Sequence, residues 1–182
     1  CLHGLLKDGL NTWIPTYLAE VFAITPSFSL TLTMILPISN LSGVYLANRL
    51  NLRFRNEVKT AAIFFLCAFI AIIGMMFVGS STLAGVVLLF AVVTSAMTAV
   101  NTIFISVLPV HFRQFGVIST VSGMLNATTY VGSACSSVLF GYLAQDGSWQ
   151  STQIVWGGIA LLGIACCITA KKKWSNFRRD LD

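Results

Sequence analysis

The segment "LLKDGLNTWIPTYLAEVF" (residues 5–22) has the length and the apolar side chains of a membrane-spanning helix. It nevertheless contains Lys7, Asp8, Asn11 and Pro15, which a lipid bilayer or a regular helix disfavours. Why these four residues stand there depends on the class of protein to which the chain belongs.

Composition determines that class. The chain has 182 residues, of which 56% are hydrophobic and only 9% are charged. In a soluble domain roughly a quarter of all residues are charged, and these residues cover its surface. The five cysteines lie in apolar runs and only two histidines are present, so the spacing predicts no metal site and no cofactor. We therefore expect residues 1–182 to form one transmembrane domain.

The hydrophobic runs predict six spans, each close to the roughly 20 residues that a helix needs to cross a bilayer. Helices are expected because a strand edge cannot be left unpaired in lipid. The predicted spans are about Leu2–Phe22, Phe28–Ala47, Thr60–Val78, Leu83–Val107, Val117–Leu143 and Gln153–Ala170. No signal-peptide pattern opens the chain, and we expect it to be a fragment of a longer protein.

The charges predict how these spans are oriented. Ten of the eleven basic residues fall in alternate connections or in the tail: Arg49, Arg53, Arg55, Lys59, Arg113, Lys171, Lys172, Lys173, Arg178 and Arg179. By the positive-inside rule these regions and both ends of the chain are cytoplasmic, and the loop at Asp146 is external. The net charge of +5 thus needs no nucleic acid to explain it. The basic tail is interpreted either as an anionic-lipid patch or as a topology anchor with an interfacial Trp174.

Lys7 is the basic residue that lies outside these regions. It precedes Tyr17 by ten residues, or about 15 Å of helix, which places it near the bilayer midplane. Lysine at that depth costs about 2.5–3.5 kcal/mol on insertion scales, so it normally faces a cavity or a partner. The alternative is that Lys7 extends its ammonium to the inner interface.

Asp8 is expected to serve a different neighbour from Lys7. Adjacent residues of a helix point about 100° apart, so the two side chains are not expected to face each other. Asp8 is interpreted as a proton carrier, because burial raises a carboxyl pKa and a nearby cation lowers it. The alternative is a static ion pair with an arginine or lysine in the missing half of the longer protein.

Polar residues sort the spans into two groups. The first, second, fourth and fifth spans carry polar residues, whereas the third and sixth are apolar all round. The order polar, polar, apolar thus occurs twice along the chain, which is typical of two three-helix repeats whose third helix is peripheral. The sequence therefore predicts an all-α membrane protein of six transmembrane helices with a polar-lined cavity.

Five residues are the candidates for contact with a substrate: Lys7, Asn11, Asn101, Asn126 and Tyr130. A buried amide without partners is expensive, so Asn101 and Asn126 are expected to contact either a substrate or another helix. Tyr130 is expected either to line the cavity or to pack. The serines and glycines of the fifth span favour close helix packing over ligand contact.

Two segments resemble a known family. "KDGLNTWIPTYL" (residues 7–18) is similar to the opening helix of the C-terminal half of major facilitator transporters, particularly the organophosphate:phosphate antiporter branch. The matching residues are Lys7, Gly9, Trp13, Pro15, Thr16, Tyr17 and Leu18. Residues 119–149 resemble the eleventh helix of that family and the loop after it. In the family's inter-helix signature Gly43 is present but Ala47 replaces the acid, and Lys7 stands where the antiporters have arginine.

The resemblance covers essentially the whole chain and implies half of a twelve-helix fold. It implies secondary transport of a small, anionic metabolite, phosphorylated or carboxylated, by alternating access in a bacterial inner membrane. The partners would be the substrate, the bilayer and the N-terminal half of the same protein. A transporter-like sensor that binds ligand without moving it is the alternative. An intramembrane enzyme is not expected, because a Gly-x-Ser-Gly motif is missing and no histidine follows His111.

Overall fold

The computed structural model describes residues 1–79, 82–145 and 149–179, and within these ranges every element is helical. The elements are α1 (Leu2–Val21), α2 (Pro26–Thr33), α3 (Ile35–Phe54), α4 (Glu57–Val78), α5 (Leu83–Thr102), α6 (Ile118–Gln145) and α7 (Trp149–Arg179). A π-helical turn (Ile103–Val107) and a 3-10 helix (Leu108–Phe115) connect α5 to α6. The predicted external loop at Asp146 lies outside the described residues.

The second predicted span is interrupted at Met34, between α2 and α3. Pro37 causes this break, because proline lacks an N–H and its ring clashes with the carbonyl four residues earlier. That carbonyl belongs to Thr33, the last residue of α2. The break therefore falls one turn before the proline.

The helix α3 continues seven residues beyond the predicted end at Ala47, as far as Phe54. Its basic end was expected to be a loop, and this expectation is wrong. No glycine or proline follows Gly43 in α3, so the helix ends only at Arg55. Arg55 adopts the left-handed conformation, with φ of 46° and ψ of 39°, and Asn56 then caps α4 by accepting a hydrogen bond from the Lys59 N–H.

Within the described residues, four helical segments are long and apolar enough to cross a membrane: Pro26–Phe54, Glu57–Val78, Leu83–Phe115 and Trp149–Arg179. These segments indicate an all-α integral membrane protein. By the same measure of length and composition α1 and α6 are not among them, since both carry more polar residues.

The two polar helices α1 and α6 lie in direct contact. At Gly4 an added Cβ would overlap the backbone oxygen of Thr129, and at Gly132 it would overlap the backbone oxygen of Cys1. Only glycine permits this approach, which confirms the expected packing role of Gly132. At Gly123, in contrast, no atom lies within 4 Å of an added Cβ.

An aromatic cluster closes one end of the helix bundle. Tyr17 of α1 meets Phe90 of α5 edge-on, with ring centroids 5.2 Å apart, and Trp156 of α7 contacts both Phe90 and Phe140. The Tyr17 hydroxyl accepts a hydrogen bond of 2.9 Å from Gln153. Since all four rings are at least 98% buried, this cluster fixes α1 against the apolar helices.

Candidate functional site

Lys7 and Asp8 form an ion pair, with Nζ 3.1 Å from Oδ1. The expectation that the two charges serve different neighbours is therefore wrong. The Cα–Cβ bonds do diverge, but the flexible four-carbon stem of lysine lets its ammonium reach the adjacent carboxylate. Both side chains are partly exposed, at 25% and 30%, so the pair lies at the surface of the bundle and not in its core.

Asp8 also connects α1 to α6. Its Oδ2 accepts a hydrogen bond from the hydroxyl of Ser133, and its backbone carbonyl accepts one of 2.8 Å from Thr12. Each carboxylate oxygen of Asp8 thus has a hydrogen-bond donor, the Lys7 ammonium at Oδ1 and the Ser133 hydroxyl at Oδ2.

His3 is the centre of a second polar contact in α1. Its Nε2 lies 3.2 Å from Oδ1 of Asn101 and 3.3 Å from Oγ1 of Thr129, so it connects α1 to both α5 and α6. His3 and Thr129 are buried. Asn101 therefore makes an interhelical contact, which is one of its two predicted roles, and the Asn101→Ala variant distinguishes this role from contact with a substrate.

The other three predicted substrate contacts, Asn11, Asn126 and Tyr130, also lie on α1 and α6. Asn11, one turn beyond Lys7 in α1, is exposed. On α6, Asn126 is partly buried and Tyr130 is 64% exposed, and contact of either residue with a substrate stays a prediction. Asn126, Tyr130 and Ser133 recur at spacings of four and three, which puts them on the face of α6 that reaches Asp8.

Glu57 forms a buried cluster that no pattern in the sequence predicts. Its side chain is 2% exposed and accepts hydrogen bonds from Asn51 (3.2 Å), His111 (3.0 Å) and Trp174 (2.7 Å). Arg178 adds an ion pair at 3.7 Å. Such a carboxylate is stable in the interior only because it is paired and hydrogen-bonded. The sequence feature that could indicate this cluster is Glu57 itself, an acid among basic residues at the start of the most apolar helix.

The basic tail is a continuation of α7, which runs nine residues past the predicted end at Ala170 to Arg179. Trp174 lies against His111 with ring centroids 5.9 Å apart and donates its indole N–H to Glu57. It therefore docks onto the protein, whereas Lys171, Lys172 and Lys173 are exposed.

The chain was compared with protein-family models, with curated proteins and with solved structures, and none of them matches it. Function is accordingly inferred from the charge pair on α1, the polar face of α6 and the apolar helices that hold them.

Proposed function

We propose that this chain is the C-terminal six-helix half of a secondary transporter of the major facilitator type. It moves a small anionic metabolite, phosphorylated or carboxylated, across a bacterial inner membrane by alternating access. The observation that carries the proposal is the partly exposed Lys7–Asp8 pair in a chain with only 9% charged residues. Charges inside membrane segments are costly and mark pathways for ions and substrates.

The course of α1 supports a six-span arrangement. His3 contacts Asn101, and Tyr17 contacts Phe90, so α1 runs antiparallel to α5 over 14 residues, or about 21 Å of helix. The segment Leu83–Phe115, which begins with α5, is one of the four candidate spans. A helix that accompanies it over this distance crosses most of the ~30 Å hydrocarbon core.

The α1–α6 contacts agree with the same arrangement. Gly4 meets Thr129, and further along both helices Trp13 lies beside Gly141, so α1 and α6 run parallel. Parallel directions are expected when three spans separate them, here α2–α3, α4 and α5. With the basic connections inside, both ends of the chain are cytoplasmic.

The charge pair suggests how transport is coupled. With Asp8 ionised, Lys7 is neutralised by its neighbour and attracts an anion weakly. A proton on Asp8 removes the negative charge and frees the ammonium of Lys7 to bind the substrate, with Asn11, Asn126 and Tyr130 as neutral contacts. Ser133 holds Asp8 in position in the ionised state. Binding of the anion and protonation of Asp8 thus favour each other.

The test is uptake by proteoliposomes that contain the full-length protein, with phosphorylated and carboxylated metabolites offered as substrates. We expect Lys7→Gln to abolish uptake of the anion that the wild type accepts, while Lys7→Arg keeps part of it. Lys171→Gln is the matched control, because it removes the same charge from an exposed position in the tail.

Two results would count against the proposal. Unchanged substrate affinity in Lys7→Gln would mean that Lys7 has no role in binding. Saturable binding without any flux in the wild type would favour the ligand sensor.

A further inference from the structure

A cavity of about 510 Å³ lies beside the Glu57 cluster and shares no lining residue with the Lys7–Asp8 pair. Its polar lining includes Arg55, Ser106, His111 and Arg178. These residues come from three separate parts of the chain: the turn between α3 and α4, the connection between α5 and α6, and the end of α7. The fold therefore gathers several hydrogen-bond donors at one place.

The carboxylate in this cavity is already occupied. Glu57 accepts hydrogen bonds from Asn51, His111 and Trp174 and pairs with Arg178. It forms no ion pair with Arg55, although only one residue separates the two. Among the residues that the structure describes, the side chain of Arg55 has no hydrogen-bond or ion-pair partner.

The backbone at Arg55 and Ser106 departs from the regular helix. Arg55 has φ of 46°, a left-handed conformation that favours glycine or asparagine over arginine. Ser106 lies in the π-helical turn, and π-helical turns occur frequently at functional sites. Its hydroxyl also has no partner in the described part of the chain. Two unpaired donors thus line the cavity at two places where the backbone departs from the regular helix.

The charges of the cavity favour an anion. Arg55 and Arg178 carry one positive charge each and Glu57 carries one negative charge, so the lining has a net positive charge even when His111 is neutral. The planar guanidinium of arginine matches the oxygens of phosphate with two parallel hydrogen bonds.

We propose that this cavity binds a phosphate group, with the guanidinium of Arg55 and the hydroxyl of Ser106 as its donors. The cavity lies at one membrane surface, because Arg55 stands between two candidate spans and Ser106 near the end of a third. Phosphate is available there from lipid headgroups and from solution. The site is independent of the proposed transport pathway, so its test needs no transport assay.

The experiment measures phosphate binding to the purified protein in neutral detergent at constant ionic strength. Inorganic phosphate is titrated by calorimetry, and phosphatidic acid is titrated in mixed micelles against phosphatidylcholine. The variants are Arg55→Gln and Ser106→Ala. Arg53→Gln is the matched control, because it removes the same charge from an exposed position of α3 that does not line the cavity.

We expect the wild type and Arg53→Gln to bind equally, Arg55→Gln to bind at least about tenfold more weakly, and Ser106→Ala to lie between them. Tighter binding of phosphatidic acid than of inorganic phosphate would assign the site to a lipid headgroup, and equal binding would assign it to free phosphate. Equal affinities of Arg55→Gln and Arg53→Gln would overturn the proposal. So would the lack of saturable binding of either probe.

Discussion

Asp8 neutralises the charge of Lys7, since its Oδ1 lies 3.1 Å from the ammonium nitrogen. Its other carboxylate oxygen accepts a hydrogen bond from the hydroxyl of Ser133 in α6. The opening segment therefore carries a charge pair that is neutral as a unit. At the bilayer midplane, where the sequence predicts Lys7 to lie, an isolated lysine would cost about 2.5–3.5 kcal/mol, and pairing reduces that cost. Protonation of Asp8 breaks the neutrality, which is why a proton and an anionic substrate are coupled in our proposal.

The clamp around His3 leads to a prediction about Asn101. We expect Asn101→Ala to lower the free energy of unfolding by about 1 kcal/mol, because His3 loses one of its two side-chain partners in α5 and α6. We expect the substrate affinity to stay unchanged. Chemical unfolding in detergent measures the first quantity and a binding titration the second.

The control for this prediction is Thr102→Ala, at a neighbouring position whose hydroxyl donates a hydrogen bond to the carbonyl of Thr98 in its own helix. Normal stability together with weaker substrate binding in Asn101→Ala would assign Asn101 to the substrate and not to the clamp.

The contact between α1 and α6 depends on close backbone approach. We expect Gly132→Ala to destabilise the protein by about 1–3 kcal/mol, because the added methyl overlaps the backbone oxygen of Cys1 and forces the two helices apart. Gly123→Ala is the matched control in the same helix, since its methyl would meet nothing within 4 Å. Thermal unfolding in detergent measures both, and equal effects would mean that α1 and α6 do not approach at Gly132.

Several helix ends are predicted correctly from the local sequence, and the differences between the predicted and the observed helices have local causes. The predicted start of the first span at Leu2 is the observed start of α1, and the predicted end of the third span at Val78 is the observed end of α4. The break at Met34 follows from Pro37. The helical extensions at the ends of α3 and α7 are not predicted by the charge pattern, because clustered basic residues usually indicate a connection between spans, although Arg and Lys are good helix formers.

The polar clusters were harder to predict than the helices. The partners of Glu57 come from three separate parts of the chain, at residue 51, at residue 111 and at residues 174 and 178, so no spacing in the sequence indicates that they meet. The Lys7–Asp8 pair was misjudged because helix geometry fixes the direction of Cβ but not the reach of a long side chain.

At the scale of the whole molecule, the proposed transport function depends on the orientation of the helices in the membrane. In a variant whose own cysteines are replaced, we expect a membrane-impermeant thiol reagent added outside intact cells to label Gly147→Cys and not Arg53→Cys. Gly147 lies outside the described residues and belongs to the predicted external loop, whereas Arg53 is exposed near the end of α3. After the cells are opened, Arg53→Cys should react. The reverse pattern would invert the proposed topology.

Coupled movement of protons and substrate is the most direct test of the central claim. The measurement records substrate uptake and internal pH in the same proteoliposomes, for the wild type and for Asp8→Asn. We predict that uptake by the wild type changes the internal pH, and that Asp8→Asn still exchanges substrate but neither changes the pH nor concentrates substrate against a gradient. Accumulation by Asp8→Asn with the pH dependence of the wild type would contradict the account.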